Sequence, residues 1–302
     1  MKRREMLITS GLALGLSQLP LGWAVAEDKA QPKRKVLMFT KSAGFEHSSI
    51  KREGHQLSHA EKVLTELGKQ HNFEVTATKD GRVFDSDLTP YDAFFFYTTG
   101  DLTSPKTGDK NPTMSAKGKE RLLAAVAGGK GFVASHCGAD TFHSAGAPRE
   151  RQTEVDPYIA MLGGEFISHG PQQDARMVIA SPKFPGLDGA ADENSDNVFT
   201  LHDEWYSLKN FADDVHVILV QDTQGMKGKD YERPPYPATW ARRHDKGRVF
   251  YTSMGHREDV WTNPKFQKIL LGGLAWAMGD VQAETPANMT KVAPGAQVMP
   301  PK

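Results

Sequence analysis

Apolar positions along the chain change period several times, and each change marks an element. Residues 36–40 form a short apolar run of strand length, followed by a Gly- and Ser-containing loop that carries His47. From His55 to Lys69, Leu57, Ala60, Val63, Leu64 and Leu67 recur at helical spacing, and Gly68 supplies a stop signal. Residues 73–78 alternate as a second strand. Residues 92–98 (DAFFFYT) are continuously apolar, as expected of a strand covered on both faces. A helix is predicted over 117–127, ended by Gly128 and Gly129, and residues 131–143 (GFVASHCGADTFH) pass from an apolar strand into a turn rich in reactive groups.

This alternation predicts a parallel sheet with helices on both faces, and ligands in such sheets bind beyond the carboxyl ends of the strands. The second half is more irregular. A short helix over 158–162 precedes strand-like runs at 175–180, 198–201, 215–221, 238–241 and 248–253, separated by Pro- and Gly-rich loops and read as antiparallel additions to the sheet. Residues 263–279 close the domain as a helix, with Pro264 in its first turn.

The amino-terminal pattern is of another kind. Lys2, Arg3 and Arg4 precede an apolar run to about Leu21, and Ala24-Val25-Ala26 offers a small-x-small cleavage pattern. Residues 1–26 therefore read as a twin-arginine-type signal peptide, 27–34 as a linker, 35–280 as the folded domain and 281–302 as a disordered Pro-, Ala- and Gly-rich tail. The apolar run is too short for a membrane span, so the expected address is periplasmic or secreted, with no stable span after cleavage.

Cleavage removes Lys2, Arg3, Arg4 and Glu5, taking 37 basic against 37 acidic side chains to 34 against 36. A nearly neutral chain gives no reason to expect nucleic acid. One cysteine, Cys137, allows no internal disulfide. The glycine-rich stretch 128–131 precedes a strand instead of joining strand to helix, and the chain after the signal holds no dinucleotide or Walker signature, so no nucleotide cofactor is expected.

His47, His136, His202 and His256 each follow the carboxyl end of a predicted strand and would converge over one sheet edge. Neutral imidazole is the commonest metal ligand, and three protein ligands with an open position describe a catalytic zinc site. A divalent metal, zinc or manganese, is one expectation. Folded export suits a protein that loads its cofactor before crossing. The rival is a nucleophile elbow centred on Cys137, whose neighbours two before and two after, Ser135 and Ala139, are small; His256 and Glu258 would complete a cysteine hydrolase. Asp203 and Glu204 add carboxylates able to move protons, and Trp205 and Tyr206 offer aromatic faces suited to a sugar.

The segments GFEHSSI (44–50), GFVASHCGADTF (131–142), LGGEFISHG (162–170), HDEWY (202–206) and GRVFYTSMGH (247–256) together resemble the ThuA-like, or trehalose-utilisation, family. The resemblance implies a flavodoxin-like fold related to class I glutamine amidotransferases and a link to sugar metabolism, 3-keto sugars included. Its matching positions are His47, His136, Asp140, His202, Glu204 and His256. Two departures stand out: Cys137 replaces the family's usual small residue, and His169 is followed by Gly170 where the family has proline. The resulting expectation is an exported hydrolase, lyase or isomerase acting on a sugar or keto-sugar glycoside. His47, His136, His202 and His256 would hold a metal; Asp140, Glu204 and Cys137 would do chemistry; Trp205, Tyr206 and His169 would bind substrate. A non-catalytic sugar-binding module would use the same pocket.

Overall fold

Parallel strands dominate the first half. The computed structural model describes residues 33–105 and 107–302, so the expected signal peptide and all of the linker before Lys33 lie outside the described residues. The chain runs β1 (Arg34–Phe39), α1 (His59–Gln70), β2 (Phe73–Thr78), β3 (Ala93–Phe96), α2 (Ala116–Ala127), β4 (Gly131–Ser135), α3 (Pro157–Leu162), β5 (Glu165–His169), β6 (Gln173–Ile179) and β7 (Val198–Asp203). It continues through β8 (Tyr206–Lys209), β9 (His216–Asp222), β10 (Tyr236–His244), β11 (Gly247–Thr252), α4 (Glu258–Trp261), α5 (Pro264–Met278) and α6 (Met289–Val292).

One nine-stranded sheet has the order β2-β1-β3-β4-β11-β10-β9-β6-β7. The first five strands are mutually parallel, in the strand order of flavodoxin-like folds, with β11 as the fifth. From β11 onward every pairing is antiparallel, so β7 again points the same way as β11. The expected α/β sheet with antiparallel additions is therefore what forms, and β5 and β8 pair separately as a short ribbon.

Strand periodicity explains the layers. In β3 all four residues are buried: Phe95 faces Trp261 of α4 on one side, and Phe96 faces Phe132 and Tyr158 of α3 on the other. Helix α1 starts at a capping box in which Ser58 and Glu61 satisfy each other's backbone. Helix α5 begins with Asn263 accepting from Lys265 and Phe266 and ends at Gly279 in the left-handed region. Among the described residues no helix is long and apolar enough to cross a membrane.

The tail corrects an expectation. The composition of residues 281–302 predicts disorder, yet the Pro286 carbonyl meets His216 of β9 at 2.8 Å, α6 packs on the same strand, the Ala296 carbonyl accepts from Arg233 at 2.6 Å, and Met289, Ala293 and Ala296 are buried. Where β6 ends, the Asn288 side chain takes over its ladder position, accepting from the Val217 N–H at 2.6 Å and donating to its carbonyl at 3.1 Å. Small apolar side chains fit this groove, and one asparagine supplies the missing backbone partner.

Candidate metal centre

Four chain segments bring their ends together above the parallel strands. The sharpest is the turn after β4, where His136 has φ +44° and opens a short 3₁₀ turn. A turn this tight presses the residues two before and two after it together. A Cβ built on Gly138 would lie 2.6 Å from that of Ala134, so only glycine fits there. The elbow is therefore centred on His136, one residue before the Cys137 expected from the sequence. An imidazole stands where the cysteine was expected.

The His136 ring is fully buried and pinned on both sides. Its Nδ1–H donates to the Ser253 carbonyl at 3.0 Å, which leaves Nε2 with its lone pair facing the cluster. The Tyr206 ring lies 4.1 Å from it. Beyond β11, Gly255 at φ +116° turns His256 inward, and its Nδ1 comes within 3.2 Å of His136 Nε2. From the loop after β1, the His47 ring meets the rings of His136 and His256, each at 5.0 Å and close to perpendicular. Burial, and then the neighbouring imidazoles His136 and His256, push His47 down to about 2, so it is neutral at any ordinary pH.

Glu204 closes the group. Its Oε2 lies 3.1 Å from His256 Nδ1 and 3.5 Å from His136 Nε2, while Oε1 lies 3.3 Å from His169 Nδ1. Burial raises this carboxyl, but the His136 and His256 imidazoles beside it outweigh that and hold Glu204 below the usual carboxylate range. Asp203, legible in the sequence only as a carboxylate, does the positioning: Oδ2 accepts from Gly255 N at 2.7 Å, and Oδ1 accepts from Glu204 N and Arg257 N. It thereby ties the end of β7 to the loop after β11, across the antiparallel half of the sheet.

His47, His136, Glu204 and His256 each offer one ligand atom, all within 4.8 Å of one another, and could hold a metal ion. Two details fit a cation. The buried Nδ1 of His47 has no hydrogen-bond partner, and His136 is oriented by a backbone carbonyl as metal-bound histidines are.

Several expected site residues fall elsewhere. His202 is not in the cluster: on a strand of period two, Asp203 points inward, so His202 points out, 47% exposed and bonded to Asp174 at 2.9 Å. Glu204, one step past the strand end, takes its place. Trp205 is buried with its indole N–H on the Gln173 carbonyl, and Tyr206 is buried against His136, so neither presents a free face. His169 does lie at the edge of the cluster, half-exposed and stacked at 6.2 Å on Tyr206.

The cysteine arrangement is not assembled. Cys137 is fully buried, and burial, then the Asp140 charge, pushes its thiol well above the ordinary range. Glu258 bonds Ser48, while His256 faces Glu204 and His136. Asp140 is occupied as well, receiving a 2.6 Å hydrogen bond from His143, whose other nitrogen lies 3.3 Å from buried Glu165. The Asp140 bond first and the Glu165 bond second raise His143 to about 9. Sequence reasoning misses Glu165; the only signal is its place beside the Gly163-Gly164 turn.

Fold and site together define a flavodoxin-type α/β protein whose strand-end elbow carries a histidine inside a buried His/Glu cluster. The chain belongs to the ThuA family, described as trehalose utilisation, whose pattern matches residues 35–277. It is similar in structure to a putative ThuA-like protein from Parabacteroides merdae (17% identity, 89% of this chain and 97% of that one, TM-score 0.56). A second such protein, from Bacteroides uniformis, also has 17% identity, with 86% and 95% of the two chains covered and a TM-score of 0.53. No curated protein matches the chain in sequence.

Proposed function

We propose that this protein is an exported, metal-dependent enzyme that acts on a carbohydrate at the carboxyl ends of its parallel strands. The observation that carries the reading is the buried, unpartnered Nδ1 of His47 within a group of four potential ligands. An imidazole nitrogen stripped of water and left without a partner costs about 1–3 kcal/mol, a cost that a cation removes. The ligands are then His47, His136, His256 and Glu204, and the metal is zinc or manganese, since imidazole with one carboxylate suits both.

Bound there, a divalent ion supplies Lewis-acid polarisation of a sugar oxygen or activation of water. The protein's own groups do the rest. The Ser253 carbonyl keeps the His136 lone pair aimed inward, and Asp203 holds the Glu204 backbone in register with Gly255. His169 joins Glu204 to the surface and gives protons a route in or out. Asp140, held by the charged His143, supplies a fixed carboxylate near the elbow. The family's description supports a sugar as substrate, and the basic, apolar, small-residue start of the chain supports export to the periplasm.

Metal content of protein purified without an affinity tag tests the reading. Close to one zinc or manganese per chain is expected, lost in Glu204→Ala and His136→Ala and kept in His202→Ala. Protein that carries no metal and takes up neither ion on addition would refute it.

A further inference from the structure

We propose that Phe45 is the residue on which the substrate's ring stacks, so that the ligand is a cyclic sugar lying with its apolar face on Phe45 and its oxygens toward the His/Glu cluster. Among the described residues, the large apolar side chains left exposed are Phe45, at 68%, and Val298. An exposed phenylalanine is unremarkable alone, but this one stands against the cluster: its ring meets that of His47 edge-on at 5.1 Å. The tryptophans near the strand ends cannot take the role. Trp205, Trp240 and Trp261 are all fully buried, each with its indole N–H on a backbone carbonyl.

Phe45 is also held still, as a binding platform must be. Its carbonyl accepts from the Thr99 hydroxyl at 2.8 Å, and Ala43 and Gly44 donate to the Thr99 carbonyl. The two loops touch so closely that a Cβ on Gly100, itself at φ +73°, would lie 2.7 Å from Gly44 N. The display of an apolar ring therefore comes from a braced turn. A pyranose is the ligand that suits a ring beside a polar cluster, because its C–H face packs on an aromatic while its hydroxyls seek donors, acceptors or a cation.

The inference rests on the carbohydrate reading above and is separable from its metal. Full-length protein supplied with zinc is titrated calorimetrically with trehalose and methyl α-glucopyranoside, with the acyclic polyol sorbitol as control. Wild type and Phe45→Trp should bind the cyclic sugars and not sorbitol, and Phe45→Ala should bind them at least about ten-fold more weakly, the loss expected for one buried aromatic contact. Zinc uptake should be equal in all three proteins. Binding that is unchanged in Phe45→Ala, lost equally in Phe45→Trp, or absent from wild type for both cyclic sugars would overturn the proposal. Failure of wild type to take up zinc, with Phe45-dependent sugar binding intact, would instead overturn the metal and leave the platform standing.

Discussion

The elbow after β4 makes its sharpest prediction at Gly138. Replacing it with alanine places a methyl group 2.6 Å from the Ala134 Cβ, 3.3 Å from the Phe96 carbonyl oxygen and 3.8 Å from the Tyr158 hydroxyl. Carbon atoms pack at about 3.5–4.0 Å, so the turn must open by about 1 Å, in a place where Ala134, Phe96 and Tyr158 are all buried. Overpacking of this kind costs about 1–3 kcal/mol, and the absence of a flexible side chain to yield puts Gly138→Ala near the top of that range. Urea unfolding in the presence of a chelator, which keeps metal linkage out of the measurement, should show a loss of about 3 kcal/mol, or roughly 5–10 °C in Tm. Because the clash is with one methyl group, Ala134→Gly should recover much of the loss, and a double-mutant cycle should return a coupling of about 2–3 kcal/mol. Gly138→Ala within about 0.5 kcal/mol of wild type, or a double variant no more stable than Gly138→Ala, would refute the placement of the elbow on His136.

Three further outcomes follow from the same structure. Cys137, buried with its thiol pushed up, should react with iodoacetamide at least about 100-fold more slowly in native protein than in urea, and comparable rates would place it at the surface. His143 is raised from 6.5 to about 9, while Glu165, although burial works to raise it, is lowered from 4.5 to about 2 by its bonds from His143, Ser144 and Asn210. The His143 contribution is full below pH 6.5 and fades as pH rises through 9; that of Glu165 is full above 4.5 and fades as pH falls toward 2. The contribution of this pair should thus be constant between those limits, and His143→Gln should remove the alkaline decline, of about 1 kcal/mol for so exposed a ring; an identical decline in the variant would exclude His143 as its source. Asn288→Ala leaves the buried Val217 N–H without its partner and should cost about 2 kcal/mol by urea midpoint, whereas an unchanged midpoint would mean the tail is not part of the folded unit.

The parallel half is legible because its signals agree: an unbroken AFFF run, apolar residues at helical spacing in α1, and Gly128 at the end of α2, although Gly68, expected to stop α1, lies inside it. The elbow was legible only to within one residue. Both Ala134/Gly138 and Ser135/Ala139 are small pairs four apart, and composition cannot choose between them; backbone φ can. At β7 a strand's period tells which residues alternate but not which face turns inward: Asp203 turns in and sends His202 out, while Glu204 reaches the cluster because it lies past the strand end. The sequence offers Trp205 and Tyr206 as exposed beside their carboxylates because what covers them is distant in the chain, Gln173 and Tyr231 for Trp205 and His136 and Phe166 for Tyr206, contacts no local pattern records. The tail misled through composition, which speaks of weak burial and is silent about a single well-placed asparagine.

Asp203, joining the end of β7 to the loop after β11, sets the order in which the site can come into being. The cluster's members stand at His47, His136, Glu204 and His256, so a fragment must reach from the loop after β1 to the loop after β11 before it contains them all. Loops of this length close late, after the sheet between them has formed. A nascent or unfolded chain therefore offers only scattered imidazoles, and the four candidate ligands first stand together when the last parallel strand, β11, has docked. An ion bound by this cluster would thus be selected by whatever surrounds the chain when folding finishes, not when synthesis begins.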